Sequence, residues 1–322
     1  MGARRPADAP RSLGHETRGL LRQYGLVARR SLGQSFLIAP TVRDLILEAA
    51  ELAPGDLVVE IGPGTGVLTE FLAERAESVV AIERDRGFHR LLVERLGNRP
   101  GLSLICGDAL DFDYATVLGE RLRGDQQAKL VSNLPYSVAT PLILQLIGLH
   151  RFFSFLLVML QREVAQRLLA TPGDKGYSAL TLRCRFEAEA TAVAQVPRTA
   201  FYPRPAVDST LVRLDLLSRP RVSVRRPDRL FRVVRAAFGQ RRKTLRNALA
   251  SGGILADSTT VEQALLEVDI DPKRRGETLD LHEFARLADH LDAMGMFPPD
   301  PPHPPLSPTG REDQGEGADD DR

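Results

Sequence analysis

The sequence predicts an α/β fold: a doubly wound, mostly parallel sheet followed by a small all-helical domain. Three observations predict it. Short apolar runs alternate with segments of helical spacing from residue 41 onward, and the first run, Leu57–Ile61, ends in the glycine-rich turn Gly62-Pro63-Gly64-Thr65-Gly66. After Leu217 the strand-like runs stop and only helical spacing remains. Strands alternating with helices give crossover units and a parallel sheet, whereas a run of helices closes on itself as a bundle.

Each element follows in order. Residues 1–28, rich in Arg, Gly and Pro, are expected as a disordered extension. Thr41–Leu52 carries Val42, Leu45, Ile46 and Ala49 at helical spacing, and the buried strand Leu57–Ile61 follows. Val67–Glu74 is a helix, Ser78–Ile82 a strand, Arg86–Leu96 a helix and Leu102–Cys106 a strand. Lys129–Ser132 is the fourth strand, Pro141–Leu149 a helix, and the strand Phe155–Leu160 runs directly into the helix Gln161–Leu169. Thr181–Phe186, Ala192–Val196 and Thr210–Leu216 alternate as strands, the late ones closing one edge as a hairpin. Asp228–Phe238, Lys243–Ala250, Thr260–Leu266 and Leu281–Met294 are helices. The expected organisation is therefore an extension (1–28), a sheet domain (29–217), a helical domain (218–297) and a disordered Pro-rich, acidic tail (298–322).

Composition narrows the function. The chain has 322 residues, 43% hydrophobic and 26% charged, so a sizeable core is available. The net charge of +1 hides an asymmetry: Arg219 to Arg246 holds eleven Arg or Lys and one acid, Asp228, while Arg311 to Arg322 holds six acids and two arginines. The basic block suggests a polyanionic partner. The two cysteines, Cys106 and Cys184, lie far from any CxxC or metal-ligand spacing, which points to a reduced, cytoplasmic protein without metal. The longest apolar run, near Phe155–Leu160, is too short to span a bilayer, and no apolar secretory region follows the N-terminal arginines.

Chemistry concentrates at the ends of successive strands. The GxGxG spacing of Gly62, Gly64 and Gly66 differs from the GxGxxG of dinucleotide sites but still lets a ligand approach the backbone. Glu83 ends the second strand, where a carboxylate can accept both ribose hydroxyls of an adenosine. Asp108 follows the third strand and can accept from an adenine amino group. Asn133-Leu134-Pro135-Tyr136 follows the fourth. An exocyclic amino group is a poor nucleophile because its lone pair is delocalised. The Asn133 oxygen and a neighbouring backbone carbonyl can accept its two hydrogens and free that pair, Pro135 fixes the turn, and the Tyr136 ring can stack on the base. Together the four sites fit S-adenosylmethionine and an amino-methyl transfer.

On these residues the chain resembles the small-subunit ribosomal RNA adenine N6,N6-dimethyltransferases. The resemblance spans about Arg29 to Leu291 in five blocks: Leu32-Gly-Gln-Ser-Phe-Leu37, Glu60-Ile-Gly-Pro-Gly64, Asn133-Leu-Pro-Tyr136, Phe201-Tyr-Pro-Arg-Pro-Ala-Val-Asp-Ser209 and Phe238-Gly-Gln-Arg-Arg-Lys-Thr-Leu-Arg-Asn247. It implies a Rossmann-like class I S-adenosylmethionine-dependent methyltransferase sheet. Cofactor contacts would fall on Gln34, Ser35, Leu37, Gly62, Gly64, Glu83, Asp108 and Asn133. Ser35 departs from the family, which usually has Asn there, and its shorter hydroxyl offers no amide donor. Phe201 would form a second wall of the base pocket beside Tyr136, and an adenine must leave its stack to enter. Arg232, Arg235, Arg241, Arg242, Lys243 and Arg246 would grip phosphates. The implied substrate is 16S rRNA in an immature small ribosomal subunit, at two adjacent adenosines of the 3′-terminal hairpin, and a monomer is expected. The alternatives are the resistance-type 23S rRNA dimethyltransferases and a ribosome-assembly factor acting mainly by binding.

Overall fold

The computed structural model describes residues 12–29, 33–254 and 256–298. The expected acidic tail beyond 298 and the first eleven residues lie outside that range. Within the expected N-terminal extension, however, Leu13–Gln23 forms a helix, α1, whose Ser12 hydroxyl accepts from the His15 N–H. Its buried residues are Gly14, Thr17 and Leu21. The helical period is carried by two small residues that do not register as apolar, so the sequence pattern conceals it. Gly14 lies against Ile38, and Leu21 joins Phe36 and Phe88.

The chain continues through β1 (Phe36–Leu37), α2 (Pro40–Ala49), β2 (Leu57–Ile61), α3 (Val67–Arg75), β3 (Ser78–Glu83), α4 (Arg86–Leu96), β4 (Leu102–Cys106), α5 (Tyr114–Gly119), β5 (Ala128–Asn133), α6 (Ala139–Ile147), β6 (Phe153–Gln161) and α7 (Arg162–Leu169). After α8 (Ala179–Glu187) come β7 (Ala188–Val196), β8 (Phe201–Tyr202) and β9 (Ser209–Leu216). The main sheet has the order β4-β3-β2-β5-β6-β9-β7, parallel from β4 to β6. The last strand, β9, inserts between β6 and β7 and is antiparallel to both. A reversal of strand order falls between β2 and β5, and in open α/β sheets ligands bind outside the strand ends at such a point.

Alternate side chains of the strands enter two cores. Val59, Ile61, Leu130 and Val158 face Leu142, Ile143 and Leu146 of α6. Val58, Val131 and Leu157 face Ile46 and Leu47 of α2 and Leu68 and Leu72 of α3. Strands buried on both faces read as continuous apolar runs, which is why the sequence locates them.

One expected strand is a helix. The alternation in Thr181–Phe186 predicts a strand, yet the segment lies inside α8. Leu180 and Cys184 of α8 enter the sheet core, while Leu182 and Phe186 enter a separate helical core. A helix buried on two opposite faces shows apolar residues at every second position, which mimics strand periodicity. Its start is fixed locally, the Thr181 hydroxyl accepting from the Ser178 N–H at 3.0 Å.

The helical core is built on α9 (Pro227–Gly239), α10 (Leu245–Ala250), α11 (Ser258–Glu267) and α12 (Leu281–Ala293), with Leu230, Val233, Leu265, Phe284 and Leu287 at its centre. Pro227 starts α9, where its missing N–H is not needed. Asp280 and Glu283 form a reciprocal capping pair at the start of α12. Among the described residues no helix is long and apolar enough to cross a membrane.

Because α8 belongs to both cores, Phe186→Ala should cost about 3–5 kcal/mol and lower the urea midpoint of the whole protein. Val93→Ala on the exposed face of α4 should change it by less than about 0.5 kcal/mol. Urea unfolding followed by circular dichroism compares the two.

Candidate functional site

The glycine turn after β2 is built by backbone conformation. Gly62, Gly64 and Gly66 have φ of 69°, 57° and 84°. Space also selects glycine, since a β-carbon at Gly64 would sit 2.7 Å from the Phe36 ring and one at Gly62 3.0 Å from the Pro135 ring. The turn after β5 is thus packed directly on the turn after β2. The Ser132 hydroxyl, donating to the Ile61 carbonyl at 2.6 Å, fastens the two strand ends. Gly33 lies against the other side of the same turn, where a β-carbon would meet the Tyr136 nitrogen at 2.8 Å.

These segments enclose a cavity of about 970 Å³ counting its open mouth. All the expected cofactor residues line it: Gln34, Ser35, Leu37, Gly62, Gly64, Glu83, Asp108 and Asn133. Pro135 lines it too, whereas Leu134, Tyr136 and Phe201 do not.

Glu83 is buried, with one carboxylate oxygen accepting from Gly64 N–H at 3.0 Å and the other from Asp85 N–H at 2.8 Å. Burial raises its pKa, and those backbone donors oppose the rise. Each oxygen keeps a lone pair for a ribose hydroxyl. Asp108 accepts from Leu110 N–H at 3.0 Å and pairs with the exposed Arg84 at 3.3 Å. Gln34 accepts from Arg29 N–H at 2.8 Å.

Asn133 carries the most informative geometry. Its amide nitrogen donates to the Ser35 carbonyl at 2.9 Å. A carbonyl only accepts, so the nitrogen must face Ser35 and the amide oxygen must face away. That oxygen is buried and has no partner. An unpaired buried acceptor costs about 1–3 kcal/mol and marks where a donor is missing. The Ser35 hydroxyl, meanwhile, donates to the Pro203 carbonyl at 2.8 Å. Ser35 therefore orients Asn133 through its backbone, and its side chain serves the loop after β8. The replacement of the family's Asn leaves the carbonyl contact intact.

Of the two expected base-pocket rings, that of Phe201 is turned into the core, whereas Tyr136 is anchored by its hydroxyl. Phe201 is 1% exposed and packs in the core, because its strand pairs Leu37 with Phe201 and turns that ring inward. The next residue, Tyr202, carries the partly exposed ring. Tyr136 is partly buried, and its hydroxyl bonds Ser209 at 2.7 Å, so the ring is held by its polar end as well as by packing. Burial raises the Tyr136 pKa. Leu134 is core, leaving only its backbone for a ligand.

Glu60 is the functional candidate that sequence reading passed over. It lines the cavity at 2% exposure, and one carboxylate oxygen has no partner. Burial pushes its pKa up to about 8, the nearby Thr69 hydroxyl opposing and Glu83 adding to the rise. An acidic residue in the middle of a buried strand was the available signal. The orphaned oxygens of Glu60 and Asn133 and the glycine turn together suit a cationic, amine-bearing ligand such as S-adenosylmethionine. Among the described residues no cluster of His, Cys, Asp or Glu could hold a metal.

The basic block is more fully paired than its sequence suggests, because acids arrive from other segments. Arg241 binds Glu277 at 2.9 Å, Arg246 binds Glu262 at 2.7 Å, and the buried Arg229 lies 3.7 Å from Asp292. Among the described residues Arg232, Arg235, Arg242 and Lys243 have no carboxylate partner. Arg232 and Arg235 line one hollow with Gln240 and Ser251.

A family model described as ribosomal RNA adenine dimethylase matches residues 25–287. The chain is 48% identical to a ribosomal RNA small subunit methyltransferase A of Pelotomaculum thermopropionicum, over 87% of this chain and 97% of that one. It is 46% identical to the Moorella thermoacetica protein of the same name, over 84% and 95%. Among solved structures it resembles a dimethyladenosine transferase from Plasmodium falciparum (TM-score 0.69, 27% identity, 81% of this chain and 98% of that chain). It also resembles the 23S rRNA methyltransferase ErmE (TM-score 0.60, 26% identity, 80% and 99%).

The Glu60 environment sets a pH dependence. Its folded value of about 8 lies above the ordinary 4.5, so the folded protein holds a proton that the unfolded chain releases. Stability should therefore fall as pH rises through the interval between those values. Glu60→Gln, neutral throughout, should flatten most of this decline, with Glu83 leaving a smaller slope of the same sign. Urea midpoints at about pH 5 and about pH 8.5 for both proteins measure it.

Proposed function

The chain belongs to the ribosomal RNA adenine dimethylase family, and on that premise we propose how its residues transfer methyl groups from S-adenosylmethionine to adenine N6 of 16S rRNA. The activity is that of an S-adenosylmethionine-dependent rRNA adenine dimethyltransferase, and its substrate is RNA. The proposed targets are two adjacent adenosines of the 3′-terminal hairpin in an immature small subunit, approached by a monomer. The relatives at 46–48% identity carry small-subunit names, which favours this substrate over the large-subunit RNA of ErmE at 26%.

The single observation that carries the reading is the buried, unpartnered oxygen of Asn133 at the cavity wall. It accepts one N6–H of the extruded adenine, and a backbone carbonyl of the same turn accepts the other. The nitrogen then moves toward sp³ and its lone pair becomes available. Bound S-adenosylmethionine supplies a sulfonium methyl already activated for displacement. Glu83 holds the ribose hydroxyls, the glycine turn admits the ligand to the backbone, and Glu60 faces positive charge. Tyr136, anchored by Ser209, presents its ring to the base. Positioning supplies most of the rate, since neither nucleophile nor leaving group needs covalent help. Among the described residues no histidine lines the cavity, and the methylated nitrogen is acidic enough to give its proton to water.

Arg232, Arg235, Arg242 and Lys243 are the phosphate contacts of the helical domain. Arg241 and Arg246 instead secure that domain through Glu277 and Glu262.

Asn133→Ala should lower single-turnover methyl transfer by about 10²–10³, because its acceptor acts mainly in the transition state. The assay uses labelled cofactor with naked small-subunit RNA, immature small subunits and large-subunit RNA. A rate within about twofold of wild type removes Asn133 from the mechanism, and labelling of large-subunit RNA alone overturns the substrate.

Arg242→Ala with Lys243→Ala should weaken RNA binding and lower its salt slope by somewhat under two units. Arg241→Ala should lower the melting temperature with a smaller change in slope. Binding isotherms over a salt series, beside thermal unfolding, separate the two roles.

A further inference from the structure

The helix α1 lies before the family-model match, which begins at residue 25, and nothing in the methyl-transfer reading uses it. Its docking is well defined. Gly14, Thr17 and Leu21 face inward, and Glu16 is drawn to Arg95 of α4 at 2.8 Å. With its acid turned inward, the outer face is left with Arg18 and Arg22, both exposed and one helical turn apart. Among the described residues neither has a carboxylate partner: Arg22 bonds only the Arg18 carbonyl, and Arg18 lies 5.6 Å over the Tyr202 ring.

Beside these cations is a groove, lined by Arg18, Arg22, Val27, Tyr202 and Pro203. Val27 is 77% exposed, the highest value among the large hydrophobic residues described. A solvated charged face has no reason to keep an aromatic ring and a bare valine at its edge. The groove also lies beside the cofactor cavity. Ser35, which lines that cavity, donates to the Pro203 carbonyl, and its neighbour Phe36 pairs with Tyr202.

We propose that this groove is a second RNA-docking surface, which holds the single strand flanking the extruded adenosine. Arg18 and Arg22 take phosphates, and Tyr202 with Val27 takes a neighbouring base. Cations that track a backbone beside an aromatic platform are the arrangement that binds single-stranded nucleic acid without reading its sequence. A strand must be splayed next to a flipped base, so its phosphates and unstacked neighbour need such a surface near the cavity mouth. The inference rests on the RNA reading above.

The test uses the full chain and an RNA carrying the small-subunit 3′-terminal hairpin. Arg18→Ala with Arg22→Ala should weaken binding on the order of tenfold or more at about 0.1 M salt, and lower the salt slope by one to two units. Tyr202→Ala should weaken binding roughly five- to hundredfold and leave the slope unchanged. S-adenosylmethionine affinity by calorimetry and the melting temperature should stay near wild type in the arginine pair. Wild-type affinity and slope in that pair overturn the proposal. So does a fall in melting temperature with the slope kept, which makes Arg18 a pin for α1. The Arg242→Ala, Lys243→Ala protein is run in parallel. If it alone loses RNA, only the α1 surface fails, whereas if wild type binds no RNA the function itself fails.

Discussion

The Ser35 backbone carbonyl, accepting from the Asn133 amide at 2.9 Å, is the contact on which the site depends. It joins residues 98 positions apart, and the Ser35 hydroxyl joins Pro203 a further way along the chain. One residue thereby ties the N-terminal block, the turn after β5 and the loop after β8. Because the carbonyl takes the amide nitrogen, the amide oxygen is forced to the cavity side and left without a partner. A rotatable amide becomes a directed acceptor without any further group.

The surrounding fold exists to keep that geometry fixed. The Ser132 hydroxyl locks the ends of β2 and β5, and the absence of side chains at Gly62 and Gly64 lets Pro135 and Phe36 approach the turn. Preorganisation of this kind lowers the barrier without reorganising at the moment of reaction. Its cost is visible as two buried oxygens without partners at the cavity wall, on Glu60 and Asn133. Such local violations are expected where function and stability diverge.

Charge is arranged on the same principle at larger scale. Within the helical domain several acids and arginines find each other across segments, so formal charge density overstates the surface left for RNA. Among the described residues, those left without a carboxylate include Arg232, Arg235, Arg242 and Lys243 there, and Arg18 and Arg22 on α1. Flexible pairs at a surface contribute little to stability, and under the proposed function these cations are the ones that meet RNA phosphates.

The sequence by itself located most of the sheet, because strands buried on both faces appear as apolar runs, and it placed Glu83, Asp108 and Asn133 at the ends of such runs, beside one cavity. It also located Asn133 and Tyr136 through a turn whose chemistry is local. Tertiary structure decided the rest. Alternation in Thr181–Phe186 meant a helix between two cores, since burial on opposite faces imposes a period of two on an α-helix. Gly14 and Thr17 hid α1 because close packing selects small residues as readily as apolar ones. Phe201 turned inward while Tyr202 turned outward, a choice set by strand register with Leu37 and Phe36. Which arginines stay free depended on acids distant in sequence, and only three-dimensional proximity brings those charges together.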